Sequence, residues 1–277
     1  MRARFFRTVG QLRAPRFMYE PGGVRHAVAL GSLSLTVAVV ERNDGSLVLI
    51  DAGYAEEVCA NPSKTLQFLQ ALSLGFEGTG EDSIVRQLQR MGFDPGKVTQ
   101  IVATHLHRDH VDGVADFPNA ELVVSRQEFD AFLTQPRVPG YRQQDLVAAG
   151  RIRLVDLKQD GLYGFPGSFD LFGDGELVLL DANGHSKGSM AVAIDDGNIP
   201  YIHIGDAVYQ SWEYGLAPSG PSRLATVTAW NHKALHETYR VMREAENHKR
   251  RPVLVPAHDL SVYETLPQLP QLPQAPA

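Results

Sequence analysis

Between Thr104 and Gly113 the chain reads THLHRDHVDG, three histidines and two aspartates within ten residues. Imidazole and carboxylate are the ligands that divalent zinc favours, and iron, manganese or cobalt accept the same set. His105 and His107 stand two apart at the exit of an apolar run, VTQIVAT, where an irregular loop can turn both rings toward one point. Asp109 and His110 follow at once and can face a second point nearby. A single histidine is most often a satisfied core or surface residue. Several such groups in one short loop need a shared partner, because burying an unpaired polar group costs roughly 2–7 kcal/mol. Three further candidates stand at the ends of apolar runs: His185 in DANGHSKGSM, Asp206 in YIHIGDAVY and His258 in PVLVPAHD. Strand-to-loop junctions are where a rigid scaffold presents functional groups. Each of the three is a weak signal alone; with HLHRDH they form a constellation.

The elements that must position these residues can be read from periodicity. SLSLTVAVVER and GSLVLIDAG flank Asn43-Asp44-Gly45 and predict a hairpin. Residues 61–92 mix helical and loop-like character, and EDSIVRQLQRMG predicts a helix stopped by Gly92. KVTQIVAT predicts the strand that delivers the chain into the histidine loop, followed by a strand over AELVVS and a helix over RQEFDAFL. RIRLVDL, GSFDLFG and ELVLLDA predict short strands, and GSMAVAIDDGNIPYIHIGDA a second hairpin turning at Asp195-Asp196-Gly197. ATVTAWNHKALHETYRVMREAEN predicts one amphipathic helix and PVLVPAH the closing strand. Two β-rich halves, each with helices, imply an α+β fold: a layered sandwich of two sheets with helices outside, in a single domain spanning 1–277. Residues 1–22 read as an N-terminal arm, and 266–277, ending in LPQLPQLPQAPA, as a Pro-rich, extended or disordered tail.

Composition narrows the function classes. A net charge of -6 over 277 residues gives no electrostatic footprint for nucleic acid or an anionic membrane surface. The single cysteine, Cys59, excludes a disulfide framework and a cysteine-based zinc site. The most apolar stretch, AVALGSLSLTVAVV, is interrupted by Gly31, Ser32, Ser34 and Thr36 and is too short to span a bilayer. No export signal is evident, so a soluble cytoplasmic protein is expected, with no nucleic-acid or membrane partner.

The order HLHRDH, then GHSKG around His185, then Gly205-Asp206, then Pro256-Ala257-His258 resembles the metallo-β-lactamase-fold hydrolase superfamily, from roughly Leu30 to His258. LIDAGY is similar to the family's early Asp-x-Gly motif, in which the aspartate, here Asp51, supports the metal loop. The resemblance implies an αββα sandwich with two divalent cations at one edge of the sheets. By that resemblance His105, His107 and His185 would bind one metal and Asp109, His110 and His258 the second, with Asp206 bridging both. A hydroxide between two cations is a nucleophile near neutral pH, and Asp109 is suited to moving a proton to the leaving group. Asn183 and Lys187 stand where prolines are common in the family.

Within the superfamily, flavodiiron proteins have Glu where this chain has His107, and exported β-lactamases of two subclasses use Cys where it has Asp206. Glyoxalase II continues into a helical domain beyond its ligands, whereas this chain ends at Ala277. The pattern most resembles the N-acyl-homoserine lactonase branch, in which the bridging aspartate is followed three residues later by a tyrosine that contacts the lactone carbonyl; here that is Asp206-Ala-Val-Tyr209. In that branch the region equivalent to 59–80 walls the pocket, so Leu66, Phe68, Leu69, Phe76 and Met91 are candidates for an apolar groove, and Trp212 and Tyr214 for its rim. Arg108 reads as an exposed, solvated side chain. The aromatic-bearing arm FFRTVGQLRAPRFMY suits a homodimer contact. The expectation is a zinc-dependent enzyme opening an N-acyl-homoserine or related lactone. A broader ester, thioester or phosphotriester hydrolase on the same metals is the alternative, and a non-catalytic metal-binding protein a third.

Overall fold

The computed structural model describes residues 1–9, 12–21, 30–61, 77–134, 151–215 and 220–267. In chain order its strands are β1 (Arg2–Arg7), β2 (Leu12–Pro15), β3 (Leu30–Leu33), β4 (Thr36–Glu41), β5 (Leu47–Ile50), β6 (Val98–Val102) and β7 (Glu121–Ser125). They continue with β8 (Ile152–Val155), β9 (Ser168–Asp170), β10 (Leu177–Asp181), β11 (Met190–Ile194), β12 (Tyr201–Gly205) and β13 (Val253–Pro256). One sheet runs β1-β4-β5-β6-β7-β8 and a second β13-β12-β11-β10-β9, while β2 and β3 pair as a separate ribbon.

Strands that are apolar on both faces must be covered on both, and that condition sets the layers. Ala38, Val40, Val48, Ile50, Val102 and Val123 of the first sheet face Leu177, Leu179, Met190, Val192, Ile194 and Val255 of the second, making the central core. The alternate residues Val37, Val39, Leu47, Leu49, Ile101 and Leu122 turn outward, beneath Ile84, Val85 and Leu88 of the helix Ile84–Arg90 and Phe132 of the helix Arg126–Thr134. Val178, Leu180, Ala191, Ala193, Ile202 and Ile204 likewise pack outward against Leu235, Tyr239, Met242 and Ala245 of the helix His232–Glu246. The period of two along each strand thus yields the αββα sandwich that the sequence predicts. Both predicted hairpins form: β4 and β5 turn through Arg42–Ser46 with Gly45 at φ 81°, and β11 and β12 turn with Gly197 at φ 88°. Among the described residues, no helix is long and apolar enough to cross a membrane.

The structure departs from the sequence expectations in four places. The helix predicted over 225–247 is two, Arg223–Thr228 and His232–Glu246, because Asn231 accepts from Ala234 N and caps a new helix start. The run SLSLTVAVVER breaks at Ser34, whose hydroxyl donates to the Ala257 carbonyl at 2.9 Å, so β3 leaves for β2 and only β4 joins the large sheet. The N-terminal arm is built into the fold in part: β1 pairs with β4, and Phe5 (2% exposed), Phe6 (5%) and Tyr19 (3%) pack inside the chain's own core. Leu266, predicted to open the tail, is packed in the central core. Met91 packs against the outer core beneath its own helix, while Leu66, Phe68, Leu69 and Phe76 lie outside the described residues.

The layering gives a direct stability test. Leu179→Ala, at a fully buried position between the sheets, should cost about 2–5 kcal/mol, read from urea midpoints. Ile199→Ala, at an exposed turn, should change stability by no more than about 0.5 kcal/mol. Similar costs at both sites would contradict the assigned layers.

Candidate metal centre

β5 and β6 are parallel neighbours, so their C-terminal ends arrive together. Asp51 N donates to the Val102 carbonyl at 2.9 Å, and Asp51 holds a left-handed backbone at φ 61°. Its carboxylate accepts from Thr104 N at 2.8 Å, Thr104 Oγ1 at 2.9 Å and His110 Nδ1 at 2.7 Å. This one buried side chain therefore pins the start of the histidine loop and the ring of its last histidine, the supporting place expected of it. The loop closes back with Ala52 N donating to the His110 carbonyl at 2.7 Å. A Cβ at Gly113 would lie 2.3 Å from the Ala52 carbonyl oxygen, so only glycine lets the two segments approach.

All seven candidate ligands converge. His107 Nδ1 lies 3.0 Å from His105 Nε2 and 3.0 Å from His185 Nε2, with the three rings nearly perpendicular to one another. His258 Nε2 lies 3.5 Å from Asp109 Oδ2, and His110 Nε2 3.7 Å from the same oxygen. Asp206 stands between the two sets. Its Oδ2 is 3.9 Å from His105 Nε2 and 3.6 Å from His185 Nε2, while its Oδ1 is 3.2 Å from both His110 Nε2 and His258 Nε2. His105, His107, His185 and Asp206 form one group, and Asp109, His110 and His258 another, with the ligand atoms of each within 4.8 Å of one another.

The supporting residues explain the departures seen in the fold. The break at Ser34 frees its carbonyl to accept from His258 Nδ1 at 2.8 Å. The helix break at Ala229–Asn231 lets Trp230 N donate to the His185 carbonyl at 2.9 Å and Asn231 N to the Gly184 carbonyl at 3.1 Å. Asn183, in place of a family proline, closes the His185 loop through its own side chain, accepting from Gly188 N, while its carbonyl accepts from Thr238 Oγ1 at 2.6 Å. Lys187 is exposed. Glu128 sits fully buried, with Oε1 accepting from Leu106 N at 2.9 Å and Oε2 from Ser186 Oγ at 2.7 Å. Sequence reasoning assigned no role to Glu128 or Ser34. Ser125-Arg-Gln-Glu128 has the Ser-x-x-Glu spacing of a helix start, the one local signal that could have drawn attention to the glutamate.

Electrostatics divide the two sets. Burial, reinforced by neighbouring imidazoles, holds His105 well below its ordinary value. Burial outweighs the pull of Asp206 at His185 and drives it down to about 3, so both rings are neutral donors of a lone pair. On the other side burial opposes ionisation, but Asp206, Asp51 and Asp109 hold His110 well above its ordinary value, and Asp206 and Asp109 raise His258 to about 10. Against burial, His110 and His258 draw Asp109 down to about 2. Against the same opposition, His258 and His110 draw Asp206 well below the carboxylate range. His110 Nε2 and Asp206 Oδ1 are buried, face each other, and make no well-formed hydrogen bond. Orphaned buried donors and acceptors of this kind require a partner. Neutral imidazoles on one side and carboxylates with imidazoles on the other fit a pair of divalent cations.

Tyr209 borders this cradle. Its ring stacks on His258 with centroids 5.5 Å apart and meets His185 edge-on at 5.7 Å, and its hydroxyl lies 3.3 Å from Thr228 Oγ1. Burial and the nearby Asp206 carboxylate keep the phenol protonated. One rim expectation changes, since Tyr214 is buried in the core behind the second sheet; Trp212 is half-buried and donates its indole N–H to the Tyr19 carbonyl at 3.1 Å. Arg108 is buried rather than solvated, with Nε 3.2 Å from Asp112 Oδ1.

The Metallo-beta-lactamase superfamily profile matches residues 33–258. A Mycobacterium tuberculosis protein named as a probable metallo-hydrolase is 31% identical over 82% of this chain and 75% of its own length. The N-acyl homoserine lactonase AttM of Azorhizobium caulinodans is 29% identical over 68% of this chain and 64% of its own. A solved N-acyl homoserine lactone hydrolase, with the product N-hexanoyl-L-homoserine at its catalytic metal center, superimposes with a TM-score of 0.75. It covers 97% of both chains at 19% identity, a likeness of fold. The matched span runs through both sheets and every one of the converging histidines and aspartates, and on that ground the chain belongs to the metallo-β-lactamase superfamily of metallo-hydrolases.

Proposed function

We propose that this protein is a two-metal lactonase that opens the ring of an N-acyl-homoserine lactone or a related small lactone. The observation that carries the reading is the placement of Tyr209, a neutral phenol packed on His258 three residues beyond the aspartate that spans both ligand sets. The named activity of the AttM relative supports the same substrate class. In this reading His105, His107 and His185 hold one cation, Asp109, His110 and His258 the other, and Asp206 both, with zinc the metal best suited to such a set. Two bound divalent cations supply a hydroxide nucleophile near neutral pH and polarise the substrate carbonyl.

The chain's own groups do the rest. Asp51 and the Ser34 carbonyl engage Nδ1 of His110 and His258, which leaves each Nε2 directed at Asp206 Oδ1. Thr228 donates its own hydroxyl proton to the Leu224 carbonyl at 2.9 Å, so it accepts from Tyr209 and holds that hydroxyl at the edge of the cradle. With substrate in place that single O–H turns from Thr228 to the lactone carbonyl oxygen as negative charge develops on it, an interaction stronger in the transition state than in the ground state. Asp109, with its side chain 25% exposed, is the carboxylate that reaches both the ligand cluster and solvent. Ionised at rest, it accepts the proton released by the attacking hydroxyl once the new C–O bond has formed and passes it to the ring oxygen as the ring C–O bond breaks.

A panel of acyl-homoserine lactones, γ- and δ-lactones, a thioester, a phosphotriester and a β-lactam, followed by pH indicator, should show lactones turned over best. A protein holding two cations per chain that ignores every lactone would sink the proposal. Tyr209→Phe should lower kcat/KM for lactones about a hundredfold, the usual scale for losing one oxyanion donor, and should spare phosphotriester turnover; equal losses would deny the tyrosine its carbonyl contact. Chelation, or Asp206→Ala, should abolish turnover and bring metal content measured by mass spectrometry below two per chain, and full content in the variant would argue against a bridging carboxylate.

A further inference from the structure

The three imidazoles at His105, His107 and His185 come from two different sheets. The first two lie on the loop leaving β6 and the third on the loop leaving β10. Their nitrogens must nevertheless keep a spacing of 3.0 Å across a sequence separation of 78 residues. One backbone link joins the bases of the two loops, Met190 N donating to the Thr104 carbonyl at 2.8 Å, and the Ser125 hydroxyl at the end of β7 ties down the His185 loop by donating to the Gly188 carbonyl at 2.6 Å. Glu128 acts further in. Its two oxygens take the Leu106 N–H, between His105 and His107, and the Ser186 hydroxyl, next to His185.

The local sequence makes this use of the glutamate unexpected. In a Ser-x-x-Glu helix start the serine hydroxyl accepts from the glutamate N–H, and the glutamate side chain normally reaches back to the serine N–H. Here the first half is present, with Glu128 N donating to Ser125 Oγ at 3.0 Å. The carboxylate is instead turned inward, fully buried, onto the two histidine loops. An ionised carboxylate can accept on both oxygens at once, which an amide cannot. A buried carboxylate with two donors is costly unless both are in place, so its geometry is fixed by the very loops it joins.

We propose that Glu128 is a positioning residue that sets the separation of the His105–His107 loop and the His185 loop, and thereby the affinity of the three-imidazole half of the centre for its cation. The inference rests on the two-cation reading above and adds to it an asymmetry between the halves. The Asp109–His110–His258 half has tethers of its own, Asp51 for His110 and the Ser34 carbonyl for His258.

The test is zinc titration of the full metal-free chain against a chromophoric chelator, resolving two binding steps. His185→Ala and His258→Ala identify which step belongs to which half. Glu128→Ala should weaken the step lost in His185→Ala by about ten- to a hundredfold, the usual cost of removing a group that orients metal ligands, and should leave the other within about threefold. Glu128→Gln, which keeps one acceptor and the side-chain volume, should fall between, and Ser186→Ala, which removes a single hydrogen bond, should give a smaller loss at the same step. Equal weakening of both steps, or no change in either, would overturn the proposal while leaving the two-cation reading intact. A wild-type chain that takes up no zinc would overturn both.

Discussion

Everything in this structure is arranged around one carboxylate. Asp206 emerges from the end of β12 with Oδ2 toward two imidazoles and Oδ1 toward two others, at separations of 3.2–3.9 Å. Burying that many titratable groups together without a shared partner would cost several kcal/mol for each unpaired ion. The arrangement is tolerable only where opposite charges meet and where the lone pairs all face the same small volume. A bound pair of cations meets that condition, and the donor set matches it in kind and number.

The rest of the fold serves to hold those lone pairs in place. The sandwich brings the ends of β5, β6, β10, β12 and β13 to one edge, and groups outside the candidate ligand set then hold several of the converging side chains and the loops that carry them. Asp51 holds His110, the Ser34 carbonyl holds His258, and Glu128 spans the other two loops. The strand break at Ser34 and the helix break before Asn231 both supply backbone groups to the histidine segments. Local disorder in the pattern is thus placed where the centre needs polar backbone.

Much of this was legible in the sequence. Apolar alternation in SLTVAVV and LVLL announced strands covered on both faces, and HLHRDH with His185, Asp206 and His258 at strand ends announced the ligand cluster. What periodicity could not show was where a regular run would be interrupted. Ser34 lies inside a good strand pattern and Ala229–Asn231 inside a good helix pattern, and in each case a tertiary hydrogen bond outweighed local propensity. Glu128 was hidden for a related reason: on a helix an acidic residue reads as solvated, and only the two histidine loops closing on its carboxylate reveal its burial. The N-terminal aromatics misled in the opposite direction, since Phe5 and Phe6 look free until β1 is seen paired with β4.

The central claim, that Asp206 joins two cation sites, is tested most directly by anomalous X-ray diffraction at the metal absorption edge on crystals of the metal-loaded protein. The account predicts two peaks, one among His105, His107 and His185 and one among Asp109, His110 and His258, each contacted by a different oxygen of Asp206. A single peak, or two peaks of which Asp206 touches only one, would contradict it.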